Sequence, residues 1–234
     1  MKFVFILLLE NPQFTLKLTS IMNLWLSSHL LFAALFLSSS ALTPEECQPL
    51  ITPLSLVNSS VIHGKFKFLV GFTDHEAFKA VLKATDSGWL NIRESPTNTS
   101  EVIMSQENKI NGTCLSSRAN ATIENNTITA RLINVTSMVH VLPSCDSCLV
   151  LDINSTLKNS KDFLQVMRIS DPTEANEIQA RALYLFGSEL TLKDSDLEHF
   201  KKQASCLGFS GELDFHFDAK KSFCEEGKGL NMFQ

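Results

Sequence analysis

The sequence predicts an all-β chain followed by one late amphipathic helix, folded as an antiparallel sandwich or an up-and-down barrel. Three patterns carry that expectation. Apolar residues alternate with others over most of the chain, as where Gly64, Phe66, Phe68, Val70 and Phe72 interleave with Lys65, Lys67, Leu69 and Gly71. This is the period of a half-buried strand. The period lengthens to three and four only near the end, at Leu197, Phe200, Ala204 and Leu207. Seven Asn-x-Ser/Thr sequons, Asn58, Asn98, Asn111, Asn120, Asn125, Asn134 and Asn154, crowd the alternating region. A glycan is added only on the secretory route and must point to water.

The first segment is a leader. Residues 24–37 are a nearly continuous apolar run followed by Ser38, Ser39, Ser40 and Ala41, an h-region with a small-residue cleavage site. Cleavage after Ala41 leaves a chain beginning Leu42-Thr43-Pro44. A shorter apolar run at 3–9 ends in Glu10-Asn11-Pro12, which makes Met22 a second candidate start. Neither run reaches the roughly 18 to 20 apolar residues of a membrane span, and nothing after Ala41 does. Residues 1–41 therefore read as signal peptide and 42–234 as a single domain without linker or repeat. Retention of the leader as an anchor is the second reading.

Removing Lys2, Lys17 and Glu10 with the leader takes the formal charge from −5 to −6. Such a surface suits neither nucleic acid nor acidic lipid. The strand-like runs are 64–72, 78–92, 102–106, 113–123, 127–135, 138–142, 148–153, 163–169 and 178–186, mostly separated by Asn, Gly, Ser or Asp. The helix is expected over 191–206, capped by Thr191 or by Ser195 with Glu198 in a capping box, and closed by Gly208.

Sequons orient strands, because residues of the same parity share a face. Asn120 sends Ser116 and Arg118 outward and Leu115, Ala119, Ala121 and Ile123 inward. Asn154 sends Val150 and Asp152 outward and Leu149, Leu151 and Ile153 inward. Asn134 places Arg131 inward and Leu132 outward, so either a bulge shifts the register or Arg131 faces the interior.

Six cysteines follow the leader: Cys47, Cys114, Cys145, Cys148, Cys206 and Cys224. In an exported chain they read as three disulfides, with fifteen pairings open. Cys145-Asp-Ser-Cys148 also has the spacing of a redox motif or half a zinc site, yet neither a helix start nor a second close ligand pair accompanies it in sequence.

Cys47 before the first strand, Gly64-Lys65-Phe66 opening it, Cys114 heading a middle strand, Cys206 ending the helix and Cys224 in the tail resemble the lipocalin family. The resemblance is to its orosomucoid (alpha-1-acid glycoprotein) and apolipoprotein M branch, with the fish toxin-binding relatives. It implies an eight-stranded antiparallel up-and-down barrel with a C-terminal helix, and pairing of Cys47 with Cys206 and Cys114 with Cys224. That leaves Cys145 and Cys148 to each other. The family's Gly-x-Trp motif is Gly64-Lys65-Phe66 here, and the Arg expected after the last strand is missing from Phe186-Gly187-Ser188-Glu189.

The resemblance implies a small hydrophobic or amphipathic ligand inside the barrel. Its expected contacts are Phe68, Val70, Phe72, Leu115, Ala119, Leu149 and Leu151. Arg131, matching an orosomucoid pocket arginine within one residue, is the expected polar contact, with Trp89 and Arg168 as further candidates. No metal, cofactor or catalytic residue is expected: His63, His75, His140, His199 and His216 show no metal-pair spacing, and no Gly-x-Ser-x-Gly is present. The alternatives are an anchored interaction protein docking to a receptor or to lipoprotein particles, and an isomerase using a free Cys145 or Cys148 thiol inside the barrel. Amino-terminal sequencing of the exported protein is expected to read Leu42-Thr43-Pro44; a retained leader would read upstream of Ala41.

Overall fold

The computed structural model describes residues 42–167, 169 and 175–231. The leader and Arg168 lie outside them.

The amino-terminal arm forms helix α1 (Pro44–Ile51), started by proline at its first position and by a capping box. The Thr43 hydroxyl accepts from Glu46 N–H and the Glu46 carboxylate accepts from Thr43 N–H. After a short 3-10 turn (Ser59–Ile62) the chain enters β1 (Gly64–Thr73). The remaining barrel strands are β2 (Thr85–Glu94), β3 (Glu101–Ile110), β4 (Thr113–Glu124), β5 (Thr127–Leu132), β6 (Val135–Leu142), β7 (Cys148–Lys158) and β8 (Glu177–Gly187). Each pairs antiparallel with its neighbours, β8 returns to β1, and the β4–β5 pairing lies within the same ring, so the sheet closes as an eight-stranded barrel. Closure leaves no free edge along the ring.

Hairpin turns carry the asparagines. Asn111-Gly112, at φ 47° and 77°, joins β3 to β4; Asn125-Asn126, at 48° and 65°, joins β4 to β5. Two consecutive left-handed residues match the right-handed twist of paired strands, and Asn and Gly reach that region at least cost.

Two runs expected as strand are helix. The 78–92 run divides into α2 (Glu76–Ala84) and β2, and the 163–169 run begins within α3 (Ser160–Val166). Phe78, Val81 and Leu82 stand three and four apart, a helical stripe that the apolar content of the run conceals. Nine runs thus become eight barrel strands. The two helices cross the end of the barrel at which β1 and β7 finish and β2 and β8 begin.

The late helix α4 (Asp194–Cys206) starts later than expected. Lys193 occupies its N-cap without a side-chain bond, and Glu198 pairs with Lys201 rather than closing a box with Ser195. Its end follows the expectation. Gly208, at φ 84°, donates its N–H to Ser205 O while Phe209 donates to Ala204 O, a Schellman closure. Phe200, wholly buried, packs with Val70, Phe72, Val150 and Leu185 on the outer wall.

A bulge in β1 makes that packing possible. Phe68 pairs with Phe186 but Val70 with Leu185, leaving Leu69 as the extra residue. One added residue reverses the faces of everything beyond it. Phe66 and Phe68 therefore join the inner core, while Leu69, Val70 and Phe72 face α4, and Phe72 stacks on Phe200 and Phe209 at 5.9 and 6.1 Å.

Three disulfides secure the periphery. Cys47–Cys206 ties α1 to α4, Cys114–Cys224 ties the tail to β4, and Cys145–Cys148 closes the β6–β7 loop. The tail adds β9 (Phe215–His216), antiparallel to the upper half of β1, and β10 (Leu230–Asn231), parallel to β4. Fully buried Gln203 donates to both Leu50 O and Pro143 O at 2.8 Å, joining α4, α1 and the β6–β7 loop.

Cys47–Cys206 spans 159 residues, a loop long enough for cross-linking to contribute several kcal/mol through the unfolded chain. The double variant Cys47→Ser/Cys206→Ser is expected to lose about 2 to 5 kcal/mol of unfolding free energy in a denaturant titration.

Candidate ligand-binding site

The barrel holds a cavity of about 230 Å³ that is partly open to solvent. All eight strands contribute to its walls, and its size follows from small residues at mid-strand. Ala119, Ala130, Ala180 and Ala182 border the void where larger side chains would fill it. Gly71 contributes by omission: a Cβ there would come within 2.8 Å of ring carbons of Phe68 and Tyr184. Below, Phe68, Phe186 and Tyr184 crowd together with centroid distances of 4.9 to 6.4 Å, and Phe215 stacks on Phe68 at 4.3 Å. Above, Phe78, Val81 and Leu82 of α2 meet Phe163 and Met167 of the α3 segment, with Phe78 and Phe163 stacked at 6.3 Å. These side chains line the mouth.

Of the residues expected to bind ligand, Phe68, Ala119 and Leu151 line the cavity. Trp89 borders it, but its indole N–H donates to Cys224 O at 3.1 Å and Lys65 sits 3.8 Å over the ring, so the tail holds this side chain. Val70 and Phe72 are corrected by the Leu69 bulge, which turns them outward under α4. Leu149 lies in the inner core away from the void, and Leu115 packs with Ile110 and Met167 beside it. Arg168 lies outside the described residues.

Arg131 is exposed on the outer wall. Asn134 sits in the two-residue turn between Leu132 and Val135, not in a strand, so its parity does not extend to β5. Leu132 faces the cavity instead, and Arg131 has no part in it. The parity set by Asn120 and Asn154 holds: Ser117, Ala119, Leu151, Ile153 and Ser155 line the void. Six of the seven sequon asparagines are exposed and Asn134 is half-buried.

Sequence reasoning missed the lid and a set of neutral polar groups, Gln106, Asn108, Ser117, Ser137 and Ser155. The helical spacing of Phe78, Val81 and Leu82 was the available signal for the first. For Ser117 and Ser155 the parity of Asn120 and Asn154 was available; for Gln106, Asn108 and Ser137 there was no signal, because neither β3 nor β6 carries a sequon. Tyr184 also lines the void; desolvation pushes its phenol well above the ordinary range, so it stays protonated.

Outside the barrel, Asp196 and His199 of α4 border a cleft with Cys145 and Cys148. Asp196 and the two sulfurs are close enough to share one ion. The helix thus supplies partners absent near the motif in sequence. With the disulfide formed, both sulfurs are bonded to each other rather than available as thiolates. All six described cysteines are paired, which removes the thiol an isomerase reading requires.

No family model matches this chain, and no curated protein matches it in sequence. Among solved structures it is similar to a siderocalin, Ex-FABP, described as functioning through dual ligand specificities. That similarity has a TM-score of 0.51 and 13% identity, covering 68% of this chain and 95% of the other. The barrel order, the late helix and this superposition agree. The fold is that of the lipocalins. Odorant-binding protein OBP1 (TM-score 0.45, 13% identity, 65% of this chain and 86% of that one) is also similar. So is the bovine lipocalin allergen Bos d 2 (0.46, 15%, 65% and 89%). Among the described residues no helix of this lipocalin fold is long and apolar enough to cross a membrane.

On the outer wall, Asp152 is buried, with one oxygen 4.0 Å from His140 Nδ1 and the other without a partner. Burial pushes its carboxyl up, against opposing attraction from Arg181 and His140. A raised folded pKa favours the protonated acid, so its stabilising contribution is complete below 3.8 and is lost as pH rises through the folded value. Asp152→Asn is therefore expected to raise the melting temperature at neutral pH and to change it little below pH 3.8. Phe78→Ala, opening the lid, is expected to speed release of a bound fluorescent probe several-fold in stopped-flow mixing, with a smaller effect on its association.

Proposed function

We propose that this protein is a secreted glycoprotein that binds a small hydrophobic or amphipathic molecule within its barrel and carries it in extracellular fluid. The barrel cavity of about 230 Å³, bordered largely by aliphatic and aromatic side chains and flanked by α2 and α3, carries the reading. Transfer of apolar ligand surface out of water supplies about 25 cal/mol per Å² buried, and no bond need be made or broken. Export is supported by the apolar leader, three disulfides and sequons placed on turns and outer strand faces.

The orosomucoid and apolipoprotein M branch is supported by the two long-range disulfides, which pair as that resemblance implies. The outward position of Arg131 counts against a pocket of the orosomucoid kind. Docking to a receptor or to lipoprotein particles, with the barrel as scaffold, is the second reading; the exposed apolar residues Leu54, Val57 and Val61 on the segment preceding β1 favour it.

Native mass spectrometry of the full protein from its source fluid, followed by denaturation and extraction, is expected to show a mass excess released as one small-molecule class. A protein that carries no extractable ligand and binds no hydrophobic fluorescent probe would sink the carrier reading.

A further inference from the structure

The cavity has a layered polarity that its size does not require. Met104, Val139 and Leu151 are apolar below, and Phe78, Leu82 and Phe163 are apolar above. Between them lie the side chains of Gln106, Asn108 and Ser117 on β3 and β4, and of Ser137 and Ser155 on β6 and β7. Each stands two to four residues from the mouth end of its strand. Gln106 and Ser117 are cross-strand partners, as are Ser137 and Ser155, and β5 separates the two groups.

These groups are not spent on one another equally. The Ser137 and Ser155 hydroxyls bond at 2.8 Å, which consumes one proton and leaves the other O–H to donate. The carboxamides of Gln106 and Asn108 and the Ser117 hydroxyl make no hydrogen bond with any described residue. Gly88 provides the space for one of them, since a Cβ there would lie 2.5 Å from Asn108 Oδ1. Polar atoms facing the void that lack protein partners take them from water or from a ligand.

Among the described residues lining the void none carries a formal charge. The one titratable group, Tyr184, is held neutral by burial. The nearby carboxylates point away: Glu107 accepts from Gly227 N–H under the tail, and Asp152 lies on the outer wall beside His140. An ionised group drawn into this space would lose its hydration with no counter-charge to replace it.

We infer that the ligand is an uncharged, compact molecule with hydrogen-bonding groups at mid-body between two apolar ends, of the ester, ketone, amide or alcohol class. This rests on the carrier reading above. Its size follows from the void, which exceeds the roughly 150 Å³ that accommodates benzene in an engineered protein core.

The test is displacement of neutral aminoanthracene from the full secreted protein at neutral pH by three matched compounds. Benzyl propanoate carries an ester at mid-body, phenylbutanoate is its ionised isomer, and butylbenzene has no polar group. The ester is expected to displace the probe at least about tenfold more effectively than the carboxylate, and more effectively than butylbenzene. Gln106→Leu is expected to abolish the ester's advantage over butylbenzene without weakening butylbenzene itself. Ser117→Ala, a smaller change, is expected to reduce the same ratio. Carboxylate binding equal to or tighter than the ester overturns the inference while leaving the carrier reading intact, as does an ester advantage that survives both variants. Failure of the probe to bind, with no ligand extracted from the protein, overturns both.

Discussion

The extra residue at Leu69 is the constraint from which much of this structure follows. A closed barrel has one interior, and a strand must present its apolar side chains either to that interior or to whatever packs outside. Without the bulge, Phe66, Phe68, Val70 and Phe72 would all face inward. With it, the lower half of β1 furnishes the inner core and the upper half furnishes the seat of α4. The same reversal points Gly71 inward, where the absence of a side chain makes room for Phe68 and Tyr184. One backbone irregularity thereby keeps the barrel from filling and anchors the late helix.

The peripheral elements depend on that seat. Phe200 packs where Val70 and Phe72 emerge, and this fixes α4 so that Cys206 meets Cys47 and Gln203 reaches Leu50 and Pro143. The tail works similarly on the opposite wall. Cys114–Cys224 brings it across β2 to β4, where it covers Trp89 and Glu107 and supplies partners for the Trp89 indole N–H and one Glu107 carboxylate oxygen. Groups that would be costly to bury uncompensated thus sit outside the barrel wall, and the ligand space is left with neutral polarity.

Local pattern was legible wherever one face dominates. Leu115, Ala119, Ala121, Leu149, Leu151 and Ile153 were correctly turned inward from two sequons, because a strand bearing a solvated asparagine has a determined parity. The same rule misassigned Arg131, since Asn134 belongs to a turn and parity does not pass through it. It misassigned Val70 and Phe72 because a bulge changes parity without changing composition. The lid helices were hidden within apolar runs that satisfy either period over a few residues.

Taken alone, the sequence determined the class of the fold, the existence of the late helix with its Gly208 closure, and an outward side for the sequon-bearing strands. All of these are written in spacings of a few residues, the range over which a backbone conformation selects its side chains. Tertiary structure decided which inward residues border empty space and which are packed solid, where β1 changes face, and that Asp196 and His199 stand beside Cys145 and Cys148. Those facts depend on contacts between residues far apart in the chain, and on the difference between a wall that is filled and one that is not. No local period records that difference.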